Sequence, residues 1–283
     1  MGLTNYFQKM GAKTGANKSG EGIAPPLLGP AVRFPYGAFQ MKARITKGAE
    51  FEIQASSDLK NWHTIVTDTA LEETIEYVDS EASKFSHRFY RMTAGPVNSA
   101  NIIGYATITL PPGFSMVANP FDAPSNTVGA LFKELPDGTK VNKYDTRNFQ
   151  LNENILRDGK WTSPSEKLIP GEGALLFNPT SDYKPLSFVG DVIQGSLSLP
   201  IPGGFSMRSS LLPQAGRLHT DLAFPISEGD VIHMFDRDKQ EYVLYPYEVE
   251  KWAANPPVLS VAESFWVAKT SPGNWNQNNL LSA

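Results

Sequence analysis

The sequence predicts an all-β chain, and three observations predict it. Glycine and proline are frequent, 23 and 22 among 283 residues, and they fall at short, regular intervals. Between them run segments in which apolar and polar residues alternate, the period of a half-buried strand. The second half also carries an internal repeat, and both copies read as strands. With 41% hydrophobic and 19% charged residues, the chain has enough apolar side chains to build cores. Its length suggests more than one domain.

Residues 1–35 read as an extended N-terminal arm. Glycines, Pro25, Pro26 and Pro30 are dense there, and Lys9, Lys13, Lys18 and Arg33 face a single acid, Glu21. Such a segment buries too little apolar area alone to offset its ordering entropy. Tyr6, Phe7, Met10, Leu27 and Leu28 are its candidate interface residues, set to lie on a neighbouring chain.

Residues 36–98 read as short alternating strands. Phe51, Ile53 and Ala55 alternate, then Trp62, Thr64 and Val66 after the SSDLKN turn, then Ile75 and Tyr77, and HRFYRM closes the set. Trp62 and Tyr90 are the expected core residues. The acidic stretch LEETIEYVDSEAS holds too many β-branched and aromatic residues for a helix.

The repeat appears when the sequence is shifted by 91 residues, so that GFSM at 113–116 meets GFSM at 204–207. At the same shift Gly138 meets Gly229, Asp145 meets Asp236, Lys160-Trp161 meets Lys251-Trp252, and Glu172 meets Glu263. A period of this size suits a duplicated small domain rather than a solenoid unit. It predicts two tandem homologous β-domains, at 99–191 and 192–283, with Phe114 and Phe205 in matching core positions and Trp161 and Trp252 likewise. One helix is expected at 125–135, capped by Ser125 or Asn126, with Val128, Leu131, Phe132 and Leu135 on one face.

The motif S-x-D-L-x-x-W at Ser56–Trp62, then Y-x-D at Tyr77–Asp79, then R-F-Y-R at Arg88–Arg91, resembles a fibronectin type III-like module of exported bacterial proteins. The resemblance implies an immunoglobulin-like β-sandwich over 36–98. The tandem repeat, with Pro111–Ser115, Pro136–Thr139, Gly159–Trp161 and Pro170–Gly173, is similar to duplicated bacterial β-domains that follow such modules, and implies no activity. The second copy departs from these patterns at Ser227–Asp230 and Val261–Ser264.

No cluster that carries chemistry stands out. The chain has no cysteine, which excludes disulfides, thiolate metal sites and cysteine nucleophiles. His63, His87, His219 and His233 do not stand at metal-ligand spacings. Ser206 lacks the second glycine of a nucleophile elbow, although His219 and Asp221 follow it. Glu172 and Glu263 read as acceptors of turn N–H groups, and Asp145 and Asp236 as turn caps. There is no phosphate-binding glycine loop, and no catalytic, cofactor or metal residue is assigned. Trp275, inside the polar run SPGNWNQNN, is the candidate for an exposed contact.

A net charge of −4 argues against nucleic acid as a partner, and no apolar run is long enough to span a membrane. The expected function is a non-catalytic structural or adhesive subunit of an extracellular, cell-surface or phage-like assembly. Its expected partners are copies of itself or other protein subunits. The alternative is a module that binds carbohydrate or another ligand. The N-terminus lacks the apolar core of a secretory signal peptide, which leaves a cytoplasmic place as the alternative localisation.

Overall fold

The computed structural model describes residues 23–279 and is built almost entirely of antiparallel strands. It divides into two compact units.

The first unit runs to Tyr105 and takes in Val189–Val192. Its strands are β1 (Leu27–Arg33), β2 (Phe39–Arg44), β3 (Glu50–Ser56), β4 (His63–Thr69), β5 (Thr74–Asp79), β6 (His87–Ala94), β7 (Val97–Asn98) and the start of β8 (Ile103–Leu110). β2 lies between β1 and β5 in one sheet, and in the other β3 lies between β4 and β6. Both sheets turn alternate side chains onto one core, which includes Leu28, Phe39, Met41, Phe51, Ile53, Tyr90, Met92 and Tyr105. This is a β-sandwich. Phe39 stacks on Tyr90 at 4.8 Å.

The motif residues hold this unit together. Asp79 is buried, accepts hydrogen bonds from Arg88 Nη1 at 2.7 Å and Tyr90 Oη at 2.8 Å, and caps a 3-10 turn through Glu81 N–H. Ser56 Oγ accepts from the N–H groups of Asp58 and Leu59, while Asp58 Oδ1 accepts from those of Lys60 and Asn61. Burial acts to raise the Asp58 carboxyl, but the N–H donors of Asn61 and Lys60 hold it well below the usual carboxylate range. Trp62 departs from its expected core position. It is only half-buried, and the Arg91 guanidinium lies over its ring at 4.6 Å. Its plane shields a cation instead of filling the core.

Leu27 and Leu28 also depart from expectation. They belong to β1 and are buried in the chain's own sandwich, so they offer nothing to a neighbour. The carboxamide of Asn101 closes the strand there: Leu28 N–H donates to Oδ1 at 2.9 Å and Nδ2 donates to Leu28 C=O at 3.0 Å. Tyr6, Phe7 and Met10 lie outside the described residues.

The second unit, 106–188 with the chain from 193 onward, holds the region read from the sequence as two domains. Its first five-stranded sheet comprises β9 (Gly113–Val117), β10 (Lys140–Asp145), β11 (Gln150–Arg157), β12 (Lys160–Trp161) and β13 (Ala174–Asn178), in the order β12-β11-β10-β13-β9. Next come β14 (Lys184–Asp191) and β15 (Gly195–Ile201). The second five-stranded sheet uses β16 (Gly204–Arg208), then β18 (Val231–Asp236), β19 (Glu241–Glu248) and β20 (Lys251–Trp252), which follow the short β17 (Gly216–Arg217). After β21 (Val258–Leu259), its last member is β22 (Phe265–Lys269), and the order is β20-β19-β18-β22-β16. β23 (Gly273–Asn279) pairs with β15.

The two five-stranded sheets have the same order, and their members begin 91 residues apart. Left-handed backbone recurs at the same interval: Gly138 and Gly229, Phe149 and Gln240, Asp158 and Val249, Gly171 and Ala262. The sheets also touch reciprocally. Val117 bridges to Glu263 as Arg208 bridges to Glu172, and Ala118 N–H donates to Ala262 C=O as Ser209 N–H donates to Gly171 C=O. Contacts exchanged in this way are those of a two-fold relation.

Around the first sheet Phe132 packs against Trp161 and Phe188. The helix expected at 125–135 is one turn, Val128–Leu131, without a side-chain cap. Asn126 is engaged elsewhere, accepting from Asn119 Nδ2 and Ala123 N–H. Phe114 and Phe205 do occupy matching positions, but both are exposed, because the inward residue of each strand is the following serine, Ser115 or Ser206. Trp161 is buried and Trp252 half-buried against Tyr247.

Trp275 is the clearest correction. It is fully buried, donates Nε1–H to Leu222 C=O at 2.6 Å and packs edge-on against Phe224 and Phe265. The polar run around it is a strand, and Asn274, Asn276 and Asn278 are its outward face.

Candidate functional site

The second five-stranded sheet is apolar on both faces. Ile232, Met234, Phe265 and Val267 point into the core. Strand alternation sends His233, Phe235, Tyr242, Leu244, Trp266 and Phe205 to the opposite face. There Phe205, Tyr242 and Leu244 are 49%, 40% and 54% exposed. A strand with one solvated face ordinarily turns polar side chains outward, so an exposed apolar face of this kind is the candidate site.

Tyr144, from β10 of the first sheet, leans over this face and meets Trp266 edge-on at 4.8 Å. With Phe205, His233 and Tyr242 these rings line an open hollow of about 330 Å³. Phe205 meets His233 at 5.7 Å, and Phe235 meets Tyr242 at 4.9 Å. Trp266 donates Nε1–H to Tyr242 Oη at 3.2 Å, which fixes both rings. Burial pushes His233 below its ordinary value of 6.5. Burial pushes the Tyr242 phenol upward, against the Trp266 hydrogen bond, which lowers it. At neutral pH the hollow is therefore uncharged, a lining that suits apolar or aromatic groups and the C–H face of a ring.

The residues weighed for chemistry have structural surroundings. Ser206 is buried in the core face of β16, His219 Nδ1 lies 3.4 Å from Phe224 C=O, and Asp221 accepts from Arg217 N–H. Glu172 Oε2 accepts from Ile169 N–H at 3.0 Å and pairs with Lys143, while Glu263 Oε2 accepts from Ser260 N–H at 2.9 Å. Asp145 and Asp236 cap their turns through the N–H groups of Arg147 and Asp238. Among the described residues, no group of three or more His, Asp or Glu side chains is placed to hold a metal ion.

The sequence reading missed the hollow, although a signal was present. The strands VIHMFD, EYVLYPY and SFWVAK carry apolar residues at both phases of the alternation, whereas a half-buried strand should carry them at one. The chain was compared with family models and with curated proteins, and none matches it.

Proposed function

We propose that the chain is a non-catalytic binding protein, a structural or adhesive subunit that docks a partner through the outer face of its second five-stranded sheet. The observation that carries the reading is the uncharged hollow of Tyr144, Phe205, His233, Tyr242 and Trp266 on an exposed sheet face. Rigid aromatic anchors in a desolvated pocket are the usual centre of protein binding surfaces. The fibronectin-like motifs and the repeat support a modular protein that works outside the cell, on its surface or in a particle, and the spacing of 91 residues supports descent of the two sheets from one duplicated domain. The second reading, a carbohydrate-binding module, draws on the same flat rings, which can stack on a sugar.

Size-exclusion chromatography with light scattering, run beside a glycan array, tests the first reading against the second. Trp266→Ala and Tyr242→Ala should each weaken the association found by about tenfold or more, the loss expected of an anchor residue. Circular dichroism should stay unchanged. Association that survives both changes would remove the hollow from the function.

A further inference from the structure

The reciprocal relation of the two sheets gives the lining of the open hollow an equivalent set of residues on the first sheet and the strand that faces it. Shifted by 91 residues, the lining of the open hollow becomes Phe235, Phe114, Asn142, Leu151 and Leu175. The strand edge beside this second set is closed. Gln240, in the turn between β18 and β19, presents its carboxamide to β9: Phe114 N–H donates to Oε1 at 2.6 Å, and Nε2 donates to Phe114 C=O at 2.8 Å. The equivalent turn between β10 and β11 carries Phe149, in the same left-handed conformation and 74% exposed. Phe149 has no amide to offer. Phe205 stands opposite Ala268 in the same register as Phe114 opposite Phe177, so its N–H and C=O face the outer edge of β16. Among the described residues no side chain takes Gln240's place there. A side chain at Gly204 would meet open space, whereas one at Gly113 would strike Gln240.

We propose that the edge of β16 at Phe205 receives an extended peptide segment of a partner protein, which adds as a strand and lays a bulky apolar side chain in the aromatic hollow. The inference rests on the reading of the hollow as the docking site. Its chemistry comes from the closed edge. A primary carboxamide offers a carbonyl and an N–H on the same side and so satisfies both backbone groups of one residue, as Gln240 does at Phe114 and Asn101 does at Leu28. In an extended peptide the N–H and C=O of a single residue also point to one side, and they exchange both bonds with the residue opposite. The trans amide of an N-acetylated sugar points its two groups in opposite directions and satisfies only one. The peptide residue opposite Phe205 shares that residue's face, which is the hollow.

The test uses the full chain and fluorescence polarisation with capped nonapeptides of alternating Thr and Val, whose central residue is Trp, Phe, Leu or Ser. The Trp and Phe peptides should bind, with the Ser peptide at least about tenfold weaker. Phe149→Gln gives this turn the residue that the other turn tolerates in the same conformation, and it should close the site from within, weakening the Trp peptide at least about tenfold. Hydrogen exchange at the Phe205 amide should slow when the Trp peptide is added. Chitotriose should not compete. Failure of all the peptides to bind would overturn strand addition, as would binding indifferent to Phe149→Gln with no protection at Phe205. If association or glycan binding sensitive to Trp266→Ala persists in those cases, the hollow remains a docking site and only the strand mechanism falls; if that is absent too, both fall.

Discussion

Asp79 joins three things in one buried carboxylate: the Arg88 guanidinium, the Tyr90 hydroxyl and the start of a turn. Removing one partner of a buried, hydrogen-bonded charge pair leaves the other uncompensated. Asp79→Ala should therefore destabilise the first unit by about 3–5 kcal/mol in denaturant unfolding. Trp62→Ala should cost less than Tyr90→Ala, because Trp62 is a half-exposed lid over Arg91 while Tyr90 is a core ring of the kind that loses about 3–5 kcal/mol. Equal losses in the two melts would contradict this. The pair shows what was legible at this scale. Y-V-D and R-F-Y-R marked the buried network, but aromatic content alone could not separate a ring in the core from a ring under a guanidinium. Two histidines set a pH dependence. Burial lowers His87 and His233 below 6.5 in the folded chain, so below that value the unfolded chain binds more protons. Stability should rise with pH until about 6.5 and then level, as linkage requires. His87→Gln with His233→Gln should flatten the slope of melting temperature over that window, and an unchanged slope would assign it to other groups.

The residue before β18 and the last residue of β22 differ in charge from their counterparts beside β10 and in β13. Where the first sheet has Thr139 and Asn178, both buried and neutral, the second has Asp230 and Lys269, an ion pair almost wholly out of water. Asp230 also accepts from the N–H groups of Ser227 and Thr270, and Lys269 donates to Pro225 C=O, so the pair is well satisfied. Asp230→Thr or Lys269→Asn alone should cost about 3–5 kcal/mol, whereas the two together, which copy the first sheet, should recover most of it. A double variant no better than the singles in denaturant unfolding would show that the positions are not interchangeable. Strands with apolar residues at alternate positions were legible from sequence. β23 was not, because Gln277 and Asn279 stand on its inward face, satisfied by Leu211 N–H and Ile193 C=O, and the sequence does not show where a buried amide will find its partner. The helix expected at 125–135 is a single turn whose first N–H groups find partners that the sequence did not show either. The N–H groups of Val128 and Gly129 donate to Glu166 and Pro164 carbonyls, contacts distant in the chain.

Across the second unit, the reciprocal bridges at Val117 and Arg208 make one chain behave locally like a two-fold dimer. A chain ended after Val192 would keep the first five-stranded sheet but lose Gln240, Glu263 and Ala262 from its edge. It should recruit a second copy to that edge and run at twice its mass in light scattering; a stable monomer would show that the reciprocity carries no binding strength. The repeat itself was legible as spacing, but the mutual contact was not, because spacing says nothing about how copies face each other. The unequal treatment of the two edges has a further consequence, for solubility. A strand edge with open backbone groups beside apolar side chains pairs with any other chain that is extended nearby, and folded proteins commonly blunt such edges with charge, proline or a covering loop. Here β9 is blunted by Gln240, whereas among the described residues no side chain blunts β16 at Phe205. In a crowded solution copies of this protein, or partly unfolded chains, should stick at that short edge and seed insoluble material, so the edge proposed to receive a partner should also limit how concentrated the protein can be kept.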